Sequence, residues 1–222
     1  MMRSLCESCQ NMREVRTARS RFLLCQLSVT NDNYPKYPPQ PVVRCEGYEV
    51  KDVLIRPETT ADHEAIRLVN RLAFGQDAEA RLIDALREGG YVRLSLVAER
   101  DGQVAGHILF SDLPILALAG PVSALALAPL AVLSSFQRQG IGSTLIRRGL
   151  QVCREQGHRI VIVLGHPDYY PRFGFSPELA ANLESPYSGK PSFMALDLIP
   201  GALAGVAGRV QYPPPFNCCS HS

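Results

Sequence analysis

Between Ser123 and Leu164 the chain passes through a nearly all-apolar run, a loop with two closely spaced glycines, an amphipathic stretch and a second apolar run. This succession limits the possible folds more than any other feature. Ser123 to Leu133 reads as a strand covered on both faces. After the loop Gln137–Gly142, Leu145, Ile146, Leu150 and Val152 mark the buried side of a helix over about 141–156, capped by Gly157. Arg159 to Leu164 is again a buried strand. Two strands joined by one helix make a βαβ unit, with parallel strands and a right-handed crossover.

The elements before and after this unit settle the fold class. Val53–Arg56 is a short strand that stops at Pro57. Thr60 offers a helix N-cap, with Asp62, His63 and Glu64 in the first turn, where negative charge is favoured. Ile66, Leu68, Val69, Leu72 and Ala73 then recur at helical spacing up to Phe74-Gly75. A second helix carries Ala78, Leu82, Ile83 and Leu86 and closes at Gly89-Gly90. Leu94–Glu99 and Gln103–Phe110 flank Arg100-Asp101-Gly102, a tight-turn signal that predicts an antiparallel hairpin. Phe193–Leu198 adds another strand. The expected class is α/β: a mixed, mostly antiparallel twisted sheet with helices on both faces.

A length of 222 residues suits one sizeable domain, and 46% hydrophobic with 20% charged residues is an ordinary globular composition. A net charge of +2 gives no electrostatic case for a nucleic-acid partner. No stretch reaches the roughly 18 apolar residues of a membrane-spanning helix, so a cytoplasmic protein without a membrane partner is expected. Seven cysteines invite a metal or disulfide reading. Cys6 and Cys9 form a CxxC, but no second pair follows at zinc-site spacing, so no metal is expected. An odd cysteine count spread over tails and core fits a reducing compartment. Residues 1–52 carry scattered arginines and the proline-bearing run Tyr34–Pro41, and read as a weakly structured extension. An organellar transit segment or a translation start further on would each account for them. Residues 199–222 read as a tail partly packed on the domain, with Pro213-Pro214-Pro215 as extended chain.

The loop carries the chemistry. The first turn of a helix leaves main-chain N–H groups unpaired, which makes an anion site. Gly140 and Gly142 let a phosphate approach the backbone, and Gln137, Arg138 and Gln139 offer side-chain donors. The physical expectation is a pyrophosphate seat on residues 137–143, against the plainer alternative of a helix preceded by a flexible turn. A Walker A loop needs Gly-Lys-Ser/Thr and a Rossmann fingerprint needs three spaced glycines near the first strand; neither pattern is here.

The run Leu130–Gly142 resembles the coenzyme A motif of the GNAT acetyltransferases, an apolar strand followed by Gln/Arg-x-x-Gly-x-Gly/Ala, with Gln137, Gly140 and Gly142 at the defining positions. Tyr170-Pro171-Arg172-Phe173-Gly174-Phe175 is similar to the family's Tyr-x-x-x-Gly-Phe segment, one helix and one strand downstream. The likeness covers residues 53–198, and Tyr187 to Phe216 resembles the tail of a bacterial branch of the family.

The resemblance implies an acetyl-CoA-dependent N-acetyltransferase acting by direct attack in a ternary complex with an amine acceptor. Leu130, Ala131 and Val132 would hold the pantetheine arm, and a main-chain N–H there would stabilise the oxyanion. Gln137, Arg138, Gln139, Gly140, Ile141, Gly142 and Ser143 would seat the pyrophosphate. Tyr170 falls on the family's general-acid position. Many members place a Glu on the strand before the loop, and Ala124–Leu133 has none. His166 is the first candidate for the base; His107, Glu99 and Asp112 are alternatives that structural roles would equally explain. A non-catalytic acyl-CoA-binding module is the competing function, and a monomer or homodimer the expected state.

Overall fold

The computed structural model describes residues 4–43, 45–48 and 50–218. In chain order its strands and helices are β1 (Met12–Arg16), β2 (Arg21–Cys25), β3 (Leu54–Pro57), α1 (His63–Phe74), α2 (Ala78–Glu88), β4 (Val92–Arg100), β5 (Gln103–Asp112), β6 (Ile115–Ala117), β7 (Gly120–Val122), β8 (Leu125–Val132), α3 (Ile141–Glu155), β9 (Ile160–Leu164), β10 (Leu183–Glu184), β11 (Phe193–Asp197), β12 (Gly208–Val210) and α4 (Pro215–Cys218). Six strands form the main sheet in the order β11-β9-β8-β5-β4-β3. Only β8 and β9 are parallel there, joined through α3 as the apolar runs and intervening helix predict. The other pairings are antiparallel, so the mixed, mostly antiparallel class holds. The β4–β5 hairpin turns at Asp101 and Gly102, both with positive φ, as a two-residue turn matched to strand twist requires.

Successive strand residues face opposite ways, and the sheet uses both faces. Leu96 and Ala98 on β4 and Ile108 and Phe110 on β5 join the cluster that holds Leu145 and Ile146 of α3. Val97 and Leu109, their neighbours in sequence, pack with Ile66, Ile83 and Leu86 of α1 and α2. At Gly149 a Cβ would lie 2.5 Å from the Phe110 ring, so the glycine sets how close α3 sits to the sheet.

Four details differ from the sequence expectations. The cap before α1 is Thr59, which forms a capping box with Asp62 across a 3-10 turn at Thr60–Asp62. The buried face of α1 is Ile66, Val69 and Asn70, whereas Leu68 and Leu72 are exposed. Residues 1–52, expected to be weakly structured, contain the β1–β2 hairpin and two 3-10 turns, and their Cys6, Cys9, Met12, Tyr48 and Val50 join the α3-side core. Past residue 198 the chain adds β12 and α4. With β10, β6 and β7, strand β12 makes a second, four-stranded sheet over its own core, where Leu113, Leu183, Leu203 and Val210 are buried. Residues 219–222 lie outside the described residues, Cys219 among them. Among the described residues no helix is long and apolar enough to cross a membrane.

A polar network pins α1, α2 and the turn after β3 to the sheet. Asn70 Nδ2 and His107 Nδ1 are 3.3 Å apart, His107 Nε2 and Ser95 Oγ are 2.9 Å apart, and Ser95 donates to Glu58. Glu58 also receives both nitrogens of a fork from Arg87, at 2.9 and 2.7 Å. His107 is fully buried, and burial lowers its pKa. Burial alone would raise the pKa of Glu58, but hydrogen bonds from His107, Arg87 and Ser95 more than offset it and hold the group well below the usual carboxylate range. Asp62 is likewise held low, chiefly by Arg56, which reaches it at 2.7 and 2.8 Å. A carboxylate with a depressed folded-state pKa contributes stability that is present above its unfolded value and lost as pH falls toward its folded one. Thermal unfolding should therefore shift little near neutrality and fall steeply below about pH 4 to 5. Melting curves across that range check this, and Asp62→Asn should flatten the acid limb.

Candidate active site

The site opens where β8 and β9 part. Their ladder consists of Leu125 with Val161 and Ala126 with Ile162. Beyond it β9 pairs only with β11, while β8 stays with β5 through Ile108–Leu130, His107–Ala131 and Gly106–Val132. The cause is local. On β8, Ala128 and Pro129 together oppose Leu109 in a register shift, and proline has no N–H to give a ladder. A bulge bends a strand, and here it turns β8 away from β9. The β9-facing edge of Leu130–Val132 is left without a strand partner, in the segment expected to hold a pantetheine arm.

A cleft of about 610 Å³ fills the gap. Leu130, His166, Tyr169 and Tyr170 line one part of it. Phe74 and Glu79 from α1 and α2, and Tyr187, Tyr212 and Phe216 from the C-terminal region, line the rest. The tail is thus a wall of the cleft, and Tyr212 stacks edge-on against both Tyr187 and Phe216.

Tyr170 is 8% exposed and sits on the 3-10 turn Tyr170–Phe173. Its ring meets Phe175 and Tyr169 edge-on, at centroid distances of 5.6 and 5.4 Å. Gly165 permits this placement, since any Cβ there would overlap the Tyr170 ring. Burial, and secondarily Tyr169, pushes the phenol's pKa further up, so the hydroxyl keeps its proton at neutral pH. His166 lies at the exposed mouth, just past β9, and its carbonyl accepts the main-chain N–H of Tyr169 and Tyr170 at 3.0 and 3.3 Å.

The other proposed bases lie elsewhere. His107 is sealed in the Glu58 network, Glu99 accepts from Arg56 at 3.0 Å, and Asp112 pairs with Arg93. Glu79 is the residue that sequence reasoning missed. Among the described residues it is the carboxylate that lines the cleft, held by Gln76 Nε2 at 3.1 and 3.2 Å. Its sequence signal is slight: an acidic residue in the first turn of a helix, a position that the helix dipole already explains.

The loop has a defined shape. Gly140 caps α3 with φ +93, a left-handed conformation that glycine adopts at no steric cost. Thr144 N–H donates to the Gly140 carbonyl at 3.0 Å, so the N–H groups of Ile141, Gly142 and Ser143 form the helix's open first turn. Two of the expected side-chain donors serve the loop itself. Gln137 Nε2 donates to the Val132 carbonyl at 2.9 Å, and Gln139 Nε2 to that of Ser135 at 2.8 Å. Gln139 Oε1 accepts from Arg100 at 2.6 Å. Arg138, with φ +57, stands at the turn between them. A Cβ on Gly142 would come within 3.0 Å of Tyr169 Oη, and Tyr169 Oη lies 3.4 Å from Ser143 Oγ. Helix, loop and aromatic turn therefore converge on one side of the open β8 edge. Cys153, buried mid-helix with its thiol pushed up to about 12 by burial, is packing.

Comparison with known proteins agrees with this geometry. The family model described as "Acetyltransferase (GNAT) family" matches residues 59–175. The uncharacterized N-acetyltransferase YhbS of Escherichia coli strain K12 is 40% identical over 169 residues, which span 74% of this chain and 99% of that protein. The crystal structure of YhbS from Escherichia coli in complex with CoA is similar at TM-score 0.69 and 38% identity, over 75% of this chain and 92% of that one. A GNAT family acetyltransferase from Brucella melitensis, solved in complex with acetyl-CoA, is similar at TM-score 0.62 and 37% identity, over 74% and 97% of the two chains. With the family model matching more than half its length and the parted strands, glycine loop and tyrosine turn in place, the chain belongs to the GNAT acetyltransferase family and is an N-acetyltransferase.

Proposed function

We propose that residues 53–198 transfer the acetyl group of acetyl-CoA to an amine by direct attack in a ternary complex. The observation that carries this is the cleft between the parted strands, with Tyr170 in its wall and with Tyr169, which also lines it, meeting the first turn of α3 at Ser143. The pyrophosphate would rest on the main-chain N–H groups at 140–143, and Arg138 would add positive charge. The pantetheine arm would lie along Leu130–Val132, where the unladdered edge offers main-chain partners.

The amine nitrogen attacks the thioester carbonyl and a C–N bond forms. A main-chain N–H of Leu130–Val132 steadies the oxyanion. As the C–S bond breaks, Tyr170 gives its proton to the departing thiolate, and the proton shed by the new amide nitrogen restores the phenol through water. An amine acceptor with a pKa of about 10.4 enters mostly protonated, and His166 or Glu79 takes its proton directly or through water. Glu79 also gives the acceptor side of an otherwise aromatic and aliphatic cleft a negative charge, which favours a cationic amine. Glu79→Gln should raise KM for the amine about tenfold, or ~1.4 kcal/mol, with coenzyme affinity unchanged. An unchanged KM would remove Glu79 from acceptor binding.

The β8 segment lacks a carboxylate, which favours a second reading, a module that binds acyl-CoA without turning it over. One experiment separates the two: calorimetric titration with acetyl-CoA, followed by a thiol-release assay over a panel of amines. Binding with release to an amine supports the enzyme. Binding without release supports the module, and no binding by folded protein overturns both.

A further inference from the structure

Cys6, Cys9, Cys25 and Cys45 have no part in acyl transfer, yet three separate stretches of chain bring them to one place. Cys6 and Cys9 bracket a 3-10 turn in which Cys9 N–H donates to the Cys6 carbonyl at 3.4 Å. The turn leads directly into β1, and the register of the β1–β2 hairpin pairs Met12 with Cys25, returning Cys25 to the turn. Val42 and Val50 are held against the same turn, by Leu5 N–H on the Val42 carbonyl at 2.8 Å and by a Cys9–Val50 bridge, and Cys45 lies between them in the chain. All four cysteines line one pocket of about 430 Å³, and the other three are within electrostatic reach of the Cys45 thiol. A CxxC turn running into a hairpin, with further thiols delivered from the strand end and from a later segment, is a ligand arrangement of the zinc-ribbon kind.

The pocket's chemistry fits a cation. Among the described residues no lysine or arginine lines it, and the carboxylate of Glu46 does. Four soft sulfur ligands select zinc over hard, oxygen-seeking ions. We propose that Cys6, Cys9, Cys25 and Cys45 form a tetrathiolate zinc site. On binding, each thiol releases its proton to solvent and four Zn–S bonds of about 2.3 Å form in a tetrahedron. Among the described residues no three His, Cys, Asp or Glu side chains are already gathered closely enough to hold a metal, so binding draws the sulfurs inward by side-chain rotation and local closure of the pocket.

The site lies beside the coenzyme loop. Tyr48, three residues after Cys45, donates its hydroxyl to the Gln139 carbonyl at 3.1 Å, and its own carbonyl accepts from Arg147 at 2.9 Å. Its ring packs on Gly140 so closely that a Cβ there would overlap it. Zinc would thus fix the segment that braces the back of the loop.

The site stands independently of the acyl-transfer mechanism, and its test needs no activity. The full chain, purified under reductant, is assayed for metal by mass spectrometry, and zinc release is followed as a mercurial titrates the thiols. One zinc per chain, released in step with four thiols, is expected. Cobalt should replace it and give the visible spectrum of a tetrahedral tetrathiolate. The paired substitutions Cys25→Ser and Cys45→Ser should abolish stoichiometric metal, whereas Cys153→Ser should retain it. The proposal is overturned if the reduced wild-type chain takes up neither zinc nor cobalt at one equivalent. It is equally overturned if the intact mass, without added oxidant, shows these cysteines paired as disulfides. Because the deciding readout is on the wild-type chain, a variant that fails to fold does not blunt it.

Discussion

Tyr170→Phe should bind acetyl-CoA as the parent does and turn it over about 10²- to 10⁴-fold more slowly, the usual contribution of a positioned general acid. The ring contacts with Phe175 and Tyr169 survive the substitution, so the cleft keeps its wall and only the proton donor is lost. The buried phenol holds its proton at neutral pH and so has one available for a leaving thiolate. Calorimetry and steady-state thiol release on the same preparation test the two halves of the expectation. Equal turnover by the variant would remove Tyr170 from the chemistry and leave protonation of the thiolate to water. Loss of binding and turnover together would instead make Tyr170 a part of the coenzyme seat.

The second large effect is expected at Gly142. Gly142→Val places branched carbon atoms in a gap bounded by Tyr169 Oη at 3.0 Å, Val132 at 3.6 Å and Leu130 at 4.0 Å. Those three residues come from the aromatic turn and the open edge of β8, the surfaces between which the coenzyme is proposed to lie. Coenzyme affinity should fall by at least about tenfold, or ~1.4 kcal/mol. The melting temperature should change far less, because Gly142 is only half-buried and lies in the first turn of α3. A folded variant with parental affinity would mean that the pyrophosphate is not seated there.

The elements that position these residues were legible because their signals are long and periodic. Helix α3, the β4–β5 hairpin and the apolar strands each repeat one pattern over several residues, and the two motifs fix their order. The second sheet was not legible. Strands β6, β7, β10 and β12 are two or three residues long, shorter than any alternation can register. The N-terminal hairpin was hidden for another reason. The contacts that hold its surroundings, Leu5 with Val42, Cys9 with Val50 and Tyr48 with Gln139, join residues far apart in sequence. Local composition, rich in proline and arginine there, points the other way.

In α1 the pattern misled. Leu68 and Leu72 promised the buried face, but buried Asn70 donates to the Ile66 carbonyl at 2.9 Å and meets His107 on β5, and the helix is rotated to suit that polar contact. Of the residues that line the cleft, Tyr170 and His166 could be named from the sequence. Glu79 could not, because its place at the cleft depends on how α2 lies against the sheet.

The parting of β8 from β9 has a consequence for how this enzyme can vary. Beside the Leu130 and Val132 side chains, which face Gly142, the edge at Leu130–Val132 offers a ligand its peptide groups. Exchanging Leu130, Ala131 or Val132 for another apolar residue leaves those peptide groups in place. A conventional alanine scan would not touch this peptide edge. The substitution able to edit it is proline, which deletes a donor outright. At Pro129, one residue before the edge begins, the chain already carries that deletion.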